Sequence, residues 1–378
     1  MSDQAVKTAR RTPESATVYF GSAMVSKPEA TATLPAKLDR ILKKFDLAAL
    51  CQGARVPIKM HLGGPLGFTT LHPVFVRVVV NAVKAAGGKP FLVEGYYASV
   101  ASAAERGYTP ETVGCPIVSA GGPYDSHLVP RKVGYRSLDT INVFGAIWDA
   151  PCLINFSHIK GHGACGFGGA CKNIAMGCVD SPTRTKIHAL EGGIEWIKEK
   201  CTFCGRCAEA CDTNAINVDP KEREVSIFFH HCRFCRHCVS ACPTKALVMR
   251  AGQGYKHFQE GMAITTKTIM DSFDPERVLH INLLTNITMF CDCWGFSTPS
   301  MVPDIGVMAA RDMVAIETAS VDAIKTKDFL PNSLVGKWKL GKGKHLLEKI
   351  HGKDPYVQIR ALERHGVGTR RYSIEEVH

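Results

Sequence analysis

Two cysteine runs constrain this 378-residue chain more than any other feature: Cys201-x2-Cys204-x2-Cys207-x3-Cys211 and Cys232-x2-Cys235-x2-Cys238-x3-Cys242, the second closing on Pro243. Each has the ligand spacing of a [4Fe–4S] site. Such a cubane needs four thiolates converging on a compact core. A tight turn with three closely spaced cysteines supplies three of them, and the fourth comes from the other run. Cys201, Cys204, Cys207 and Cys242 are therefore assigned to one cluster. Cys232, Cys235, Cys238 and Cys211 are assigned to the second. Zinc ribbons seldom repeat four cysteines at this spacing twice over. Sixteen cysteines in a chain whose start carries no hydrophobic signal core point to metal or redox chemistry, not disulfides.

The two runs are copies of one another. Cys201 and Cys232 stand 31 residues apart, and CTFCGRCAEACDTNAINV aligns without a gap on CRFCRHCVSACPTKALVM. Each copy runs into a short apolar strand, Ala215–Val218 and Ala246–Met249. This is the pseudo-twofold unit of a bacterial ferredoxin, in which neither copy buries a core alone. Asp212 stands where the first copy would carry proline, adding negative charge and removing a fixed φ. Residues 196–250 nevertheless hold nine Lys/Arg against six Asp/Glu. That balance favours a reduced cluster and an acidic redox partner such as a ferredoxin or flavodoxin.

Outside this unit the chain alternates. Helical spacing runs from Pro35 to Leu50, then RVPIKMHL (Arg55–Leu62) reads as a strand. Pro73–Ala86 reads as a helix closed by Gly87-Gly88, and Lys89–Val93 as a strand. Cys152–Ser157 is a buried strand. A helix near Lys256–Met270, a strand at Val278–Leu284 and a helix at Asp312–Ile324 follow. Such alternation predicts an α/β fold with a largely parallel sheet flanked by helices. Since it resumes after residue 250, an α+β ferredoxin-like domain (196–250) is expected as an insertion. It divides a discontinuous α/β domain, 18–195 and 251–378, behind a polar arm of residues 1–17. The composition, 45% hydrophobic and 21% charged, is that of a globular protein. No apolar run reaches the roughly 20 residues of a membrane span. The net charge of +11 is spread out, densest from Lys337 to Arg371, without the aromatic platform of a nucleic-acid binder. A cytoplasmic, anaerobic protein is expected, with neither membrane nor nucleic acid as partner; a homodimer is one assembly open to it.

A second constellation lies in SHIKGHGACGFGGACKNIAMGCVDSPTRTKIH, residues 157–188. The loop follows a buried strand, and open α/β sheets bind ligands at the carboxyl ends of their strands. Gly163, Gly166, Gly168 and Gly169 would let backbone N–H groups approach an anion. Lys160, Lys172 and Asn173 would hold it, and His158 and His162 are candidate proton donors. The alternative is a glycine-rich structural loop packing the insertion. The glycines do not spell a dinucleotide fingerprint. His61, in KMHLGGP, ends another strand and either joins this face or is structural. Cys291-Asp292-Cys293 cannot close an unstrained disulfide across one residue. The two thiols either flank Asp292 as a candidate acid, contribute to a metal, or sit in the core. Cys51 and Cys115 read as plain thiols.

HIKGHGACGFGGACKNIAMGC, the cysteine pair after it, NITMFCDCWG and MVPDIGVMAARDMVAIETASVDAI together resemble the domain-of-unknown-function 362 family, in the branch with an inserted ferredoxin. KMHLGGP and GKPFLVEG fit that family's start. The resemblance implies an iron–sulfur protein of redox character and leaves the reaction open. VEGYYASV departs from the family's threonine-rich pattern. In ARDMVAIE, Asp312 is retained while Met313 and Glu317 replace proline and aspartate; a pocket tuned to another substrate is one explanation. The expectation is an oxidoreductase. Two [4Fe–4S] clusters would relay single electrons to a small, anionic substrate held by His61, the 158–173 loop and Cys291–Cys293, with any further cofactor unidentified. The rival readings are a partner protein that delivers electrons to, or matures, another enzyme, and a cluster-bearing regulator.

Overall fold

The computed structural model describes residues 14–121, 126–229, 231–249 and 254–378. Eight strands make the main sheet: β1 (Ala16–Ser22), β2 (Arg55–Lys59), β3 (Lys89–Glu94), β4 (Ile117–Ser119), β5 (Leu153–His158), β6 (Val278–Leu284), β7 (Gly306–Ala310) and β8 (Tyr372–Glu376). Their order is β8-β1-β7-β6-β5-β2-β3-β4. β7 runs antiparallel to both neighbours, and every other pairing is parallel. Of the expected arm, most lies outside the described residues, but Ala16 and Thr17 belong to β1 and pair with β8.

A parallel sheet must be covered on both faces, and its strands then read as continuous apolar runs. β6 shows why: all seven residues, VLHINLL, are buried. Leu279, Ile281 and Leu283 join the core under α1 (Leu34–Leu42) and α2 (Pro73–Ala85). Val278 and Leu284 face the other core. That second core is shared with α3 (Ala170–Gly177), α4 (Tyr255–Met270), α5 (Met313–Ala323) and α6 (Tyr356–Arg364). The expected Pro35–Leu50 helix is broken into two. α1 stops at Lys43, and Asp46 caps a new helix, Leu47–Cys51, by accepting from the Ala49 N–H at 2.9 Å.

Segments from both sides of the cysteine runs build this one sheet. Between them, residues 194–249 close on themselves. Ile194–Trp196 pairs antiparallel with Leu247–Met249, and Ile216–Asp219 with Glu224–Ile227. A separate small core of Ile194, Ala215, Ile216, Val225 and Leu247 includes Cys232 and Cys238. The segment thus starts slightly before the expected residue 196. Among the described residues no helix is long and apolar enough to cross a membrane.

Candidate functional site

The connections β2→β3→β4 run one way along the sheet, while β5 and β6 lie on the other side of β2. The strand order therefore switches between β2 and β5, where a crevice opens beyond the carboxyl ends of the strands. A cavity of about 270 Å³ occupies that place. His61, just after β2, Glu94 at the end of β3, His158 at the end of β5, and Cys291 to Cys293, after β6, all line it. The glycine-rich loop and α3 add His162, Gly168, Gly169, Lys172 and Asn173.

Two buried carboxylates anchor the crevice. Glu94 accepts from His61 Nδ1 at 2.7 Å and lies 3.5 Å from Lys59 Nζ. Burial alone would raise its pKa; Lys59 and His61 outweigh burial and hold it at about 2. The remaining ring nitrogen, His61 Nε2, is buried and has no hydrogen-bond partner among the described residues. Asp292 is matched by Lys160 through Oδ1 and by His158 Nδ1 through Oδ2 at 3.0 Å. Burial again opposes ionisation, and Lys160 and His158 overcome it, holding this carboxyl far below the usual range.

This second network reassigns three expected roles. Lys160 does not line the cavity: its ammonium meets Asp292 and Thr69 Oγ1 at 2.9 Å. Asp292, kept ionised, has no proton to give. His158 lines the cavity, but Nδ1 is committed to Asp292 and Nε2 to the Thr285 carbonyl at 2.6 Å. Burial and then Lys160 lower its pKa, against the pull of Asp292. All three position the Cys291–Cys293 turn. Gly163 and Gly166 also lie away from the cavity. The Gly163 carbonyl accepts from Lys353, and Gly166, at φ +85°, packs on Lys353 and Pro355.

At the same turn, Lys172 Nζ donates to Cys291 Sγ at 3.4 Å. The adjacent Cys293 thiol and Lys172 lower the Cys291 pKa well below the thiol range against burial, whereas Cys293 is raised. The sulfurs in turn raise the pKa of Lys172 despite its burial. His162 presents Nε2 4.0 Å from Cys293 Sγ. Cys165, Cys171 and Cys178 are fully buried, and burial raises each thiol, Cys178 to about 12. Cys51 and Cys115 are buried likewise.

Lys59, Glu94 and Arg184 were not among the expected site residues. For the first two a signal existed: a charged residue inside an apolar strand run, RVPIKM and FLVEG, is costly to bury unless paired at a site. Arg184, on the helix Ser181–His188, carried none.

The cysteine runs gather into two sets of four, each drawing one member from the other run. Cys201, Cys204, Cys207 and Cys242 line one recess. Cys211, Cys232, Cys235 and Cys238 form the other, and Cys238 is pushed up to about 11 by burial and then by the three other thiols. The 31-residue repeat persists in the backbone. Left-handed φ values recur at Phe203 and Phe234 (56° and 54°), at Gly205 and Arg236 (78° and 68°), and at Asn214 and Lys245 (50° and 52°). Ala215 and Ala246 each donate an N–H to the last sulfur of their run, Cys211 and Cys242, at 3.2 Å. Asp212, in the proline position, meets His237 of the other copy at 3.6 Å.

Fold and site together define an α/β protein with a lysine- and histidine-lined crevice at the strand ends and a cysteine-rich segment between its two halves. The chain belongs to the family described as domain of unknown function 362 (DUF362), whose model matches residues 56–322. No curated protein matches it. Among solved structures it is similar to the lactate racemase apoprotein from Thermoanaerobacterium thermosaccharolyticum, at 11% identity and a TM-score of 0.29. That likeness covers 71% of this chain and 51% of the other, so the chain spans about half of that structure's length.

Proposed function

We propose that the chain is a ferredoxin-type iron–sulfur oxidoreductase acting on a small anionic substrate in the strand-end crevice. Cys201, Cys204, Cys207 and Cys242 would hold one [4Fe–4S] cluster, and Cys211, Cys232, Cys235 and Cys238 the second. The residues fit: each set offers four thiols, the repeated left-handed positions turn the chain sharply around them, and backbone N–H groups reach the sulfurs. When bound, such clusters supply electrons one at a time. The observation that carries the reading is adjacency. Cys293 and His188 line the crevice and also a neighbouring recess shared with Phe228 and Phe229 of the cysteine segment.

The other roles fall to side chains. Arg184 places positive charge on the crevice wall, while Lys59 and Lys160 offset Glu94 and Asp292 and Lys172 offsets the negative charge favoured on Cys291. An anion is therefore favoured. His61, held through Nδ1 by Glu94 with Nε2 unpartnered, is the group set to pass a proton. Anaerobic analysis is expected to find about eight iron and eight sulfide per chain, with Cys207→Ser losing roughly half. Stoichiometric zinc in place of that iron ends the cluster reading. His61→Gln should keep iron and reducibility while cellular function falls by about 10²–10⁴-fold, the scale of a lost general acid. Full function in that variant favours an electron-delivery partner instead.

A further inference from the structure

We infer that His162, Cys291 and Cys293 form a third metal site, separate from the eight cysteines, for one borderline-soft divalent ion of the zinc class. One nitrogen and two sulfur donors lie within 4.8 Å of one another on the crevice wall. Around a tetrahedral zinc, with bonds of about 2.3 Å to sulfur and about 2.0 Å to nitrogen, such donors stand roughly 3.5–3.8 Å apart. His162 Nε2 and Cys293 Sγ, at 4.0 Å, need move only slightly.

The ring is already oriented for this. Its other nitrogen, Nδ1, faces Cys165 Sγ at 3.3 Å and the Ala164 amide at 3.1 Å, and the ring stacks on Phe258 at 8°. Nε2 faces the sulfurs, 4.0 Å from Cys293 Sγ. In the structure Nδ1 accepts the Ala164 N–H; binding a metal through Nε2 moves the ring proton to Nδ1, where Cys165 Sγ is placed to accept it, an outer contact of the kind that orients metal-ligating histidines. Asp292, between the two cysteines, does not join the set, since Lys160 and His158 occupy its oxygens. The ion keeps three protein ligands and an open position, the arrangement of catalytic and not structural zinc. That position faces the crevice. Two thiolates balance the ion, and the Lys172 ammonium beside Cys291 leaves the site with net positive charge. The fourth ligand is accordingly an anion with an oxygen or sulfur donor.

The test is metal content in the intact chain, purified without oxygen from zinc-replete cells. One zinc per chain is expected besides any iron. Cys293→Ser and His162→Gln should each lose it, with iron and sulfide unchanged. Cobalt(II) supplied in place of zinc should give thiolate-to-cobalt charge-transfer absorption in the parent chain and in neither variant. Absence of that zinc, equal cobalt absorption in parent and variants, or a Cys291–Cys293 disulfide in the anaerobic protein overturns the assignment. Because the readout is zinc and cobalt, its failure is distinguishable from failure of the eight-cysteine reading, which is read in iron and sulfide.

Discussion

Glu317 lies beneath the first turn of α3, where it accepts the Ala170 N–H at 2.5 Å. It does not line the crevice but touches the loop from behind, against Gly169. Burial, against the Ala170 and Cys171 amides, raises its pKa from 4.5 to about 7. The folded chain therefore binds the proton more tightly than the unfolded chain. The stability from this group is fully present below about pH 4.5 and is lost as pH rises through about 7. A shift of this size corresponds to about 3 kcal/mol. Glu317→Gln keeps an acceptor for Ala170 and removes the titration. Its apparent Tm, measured anaerobically between about pH 5 and about pH 8, should fall less with rising pH than that of the parent chain. Parallel pH profiles would refute the assignment.

At the scale of elements, α3 is the piece that joins sheet to crevice, and Asn173 is its anchor. Asn173 donates to the Lys59 carbonyl at 2.9 Å and to Asn155 Oδ1 at 2.7 Å, and accepts from Lys59 Nζ at 2.8 Å. Asn173→Ala strands these buried partners and should cost roughly 2–4 kcal/mol, read as a lowered denaturation midpoint. An unchanged midpoint would mean that α3 is held by apolar contacts alone. Asn173, which lines the crevice, thus also ties α3 to β2 and β5. The elements themselves were legible where burial is uniform. Val278–Leu284 and Pro73–Ala85 appear as expected, because one is apolar throughout and the other keeps an apolar stripe between Pro73 and Gly87-Gly88. The hairpin Leu128–Tyr135 with Leu138–Phe144 was missed. Its first strand is half-buried at most and carries Pro130, Arg131 and Lys132, so no clean alternation marks it. Within the site, the sequence placed His61, His162, Lys172 and Cys291–Cys293 on one face through the strand-end rule. It could not tell Lys160 from Lys172. Which lysine meets a carboxylate depends on Asp292, 132 residues away along the chain.

For the whole molecule, the issue is how the cysteine segment is held against the crevice, and Lys353 is the strongest tie. This fully buried lysine donates to the carbonyls of Gly163, Phe229 at 2.9 Å and Cys232 at 2.6 Å. One ammonium thereby links the C-terminal region, the glycine-rich loop and the cysteine segment. Arg233 adds a second tie through the Lys339 and Lys349 carbonyls. Burial lowers the Lys353 pKa to about 8, so near-neutral solution keeps it mostly protonated with its three carbonyls satisfied. Lys353→Met preserves much of the stem and removes the donors, leaving three carbonyls without that partner. Because no strand of the main sheet is among them, the damage should be local. Amide hydrogen exchange should quicken in residues 226–235 and 161–166 while β5 and β6 keep their protection. If instead the whole sheet loosens, Lys353 is a general core residue; if exchange does not change at all, the segment is held by its aromatic contacts, such as His231 on Trp294 at 5.2 Å. Only the local pattern supports a tie that sets the distance between the cysteine sets and the crevice.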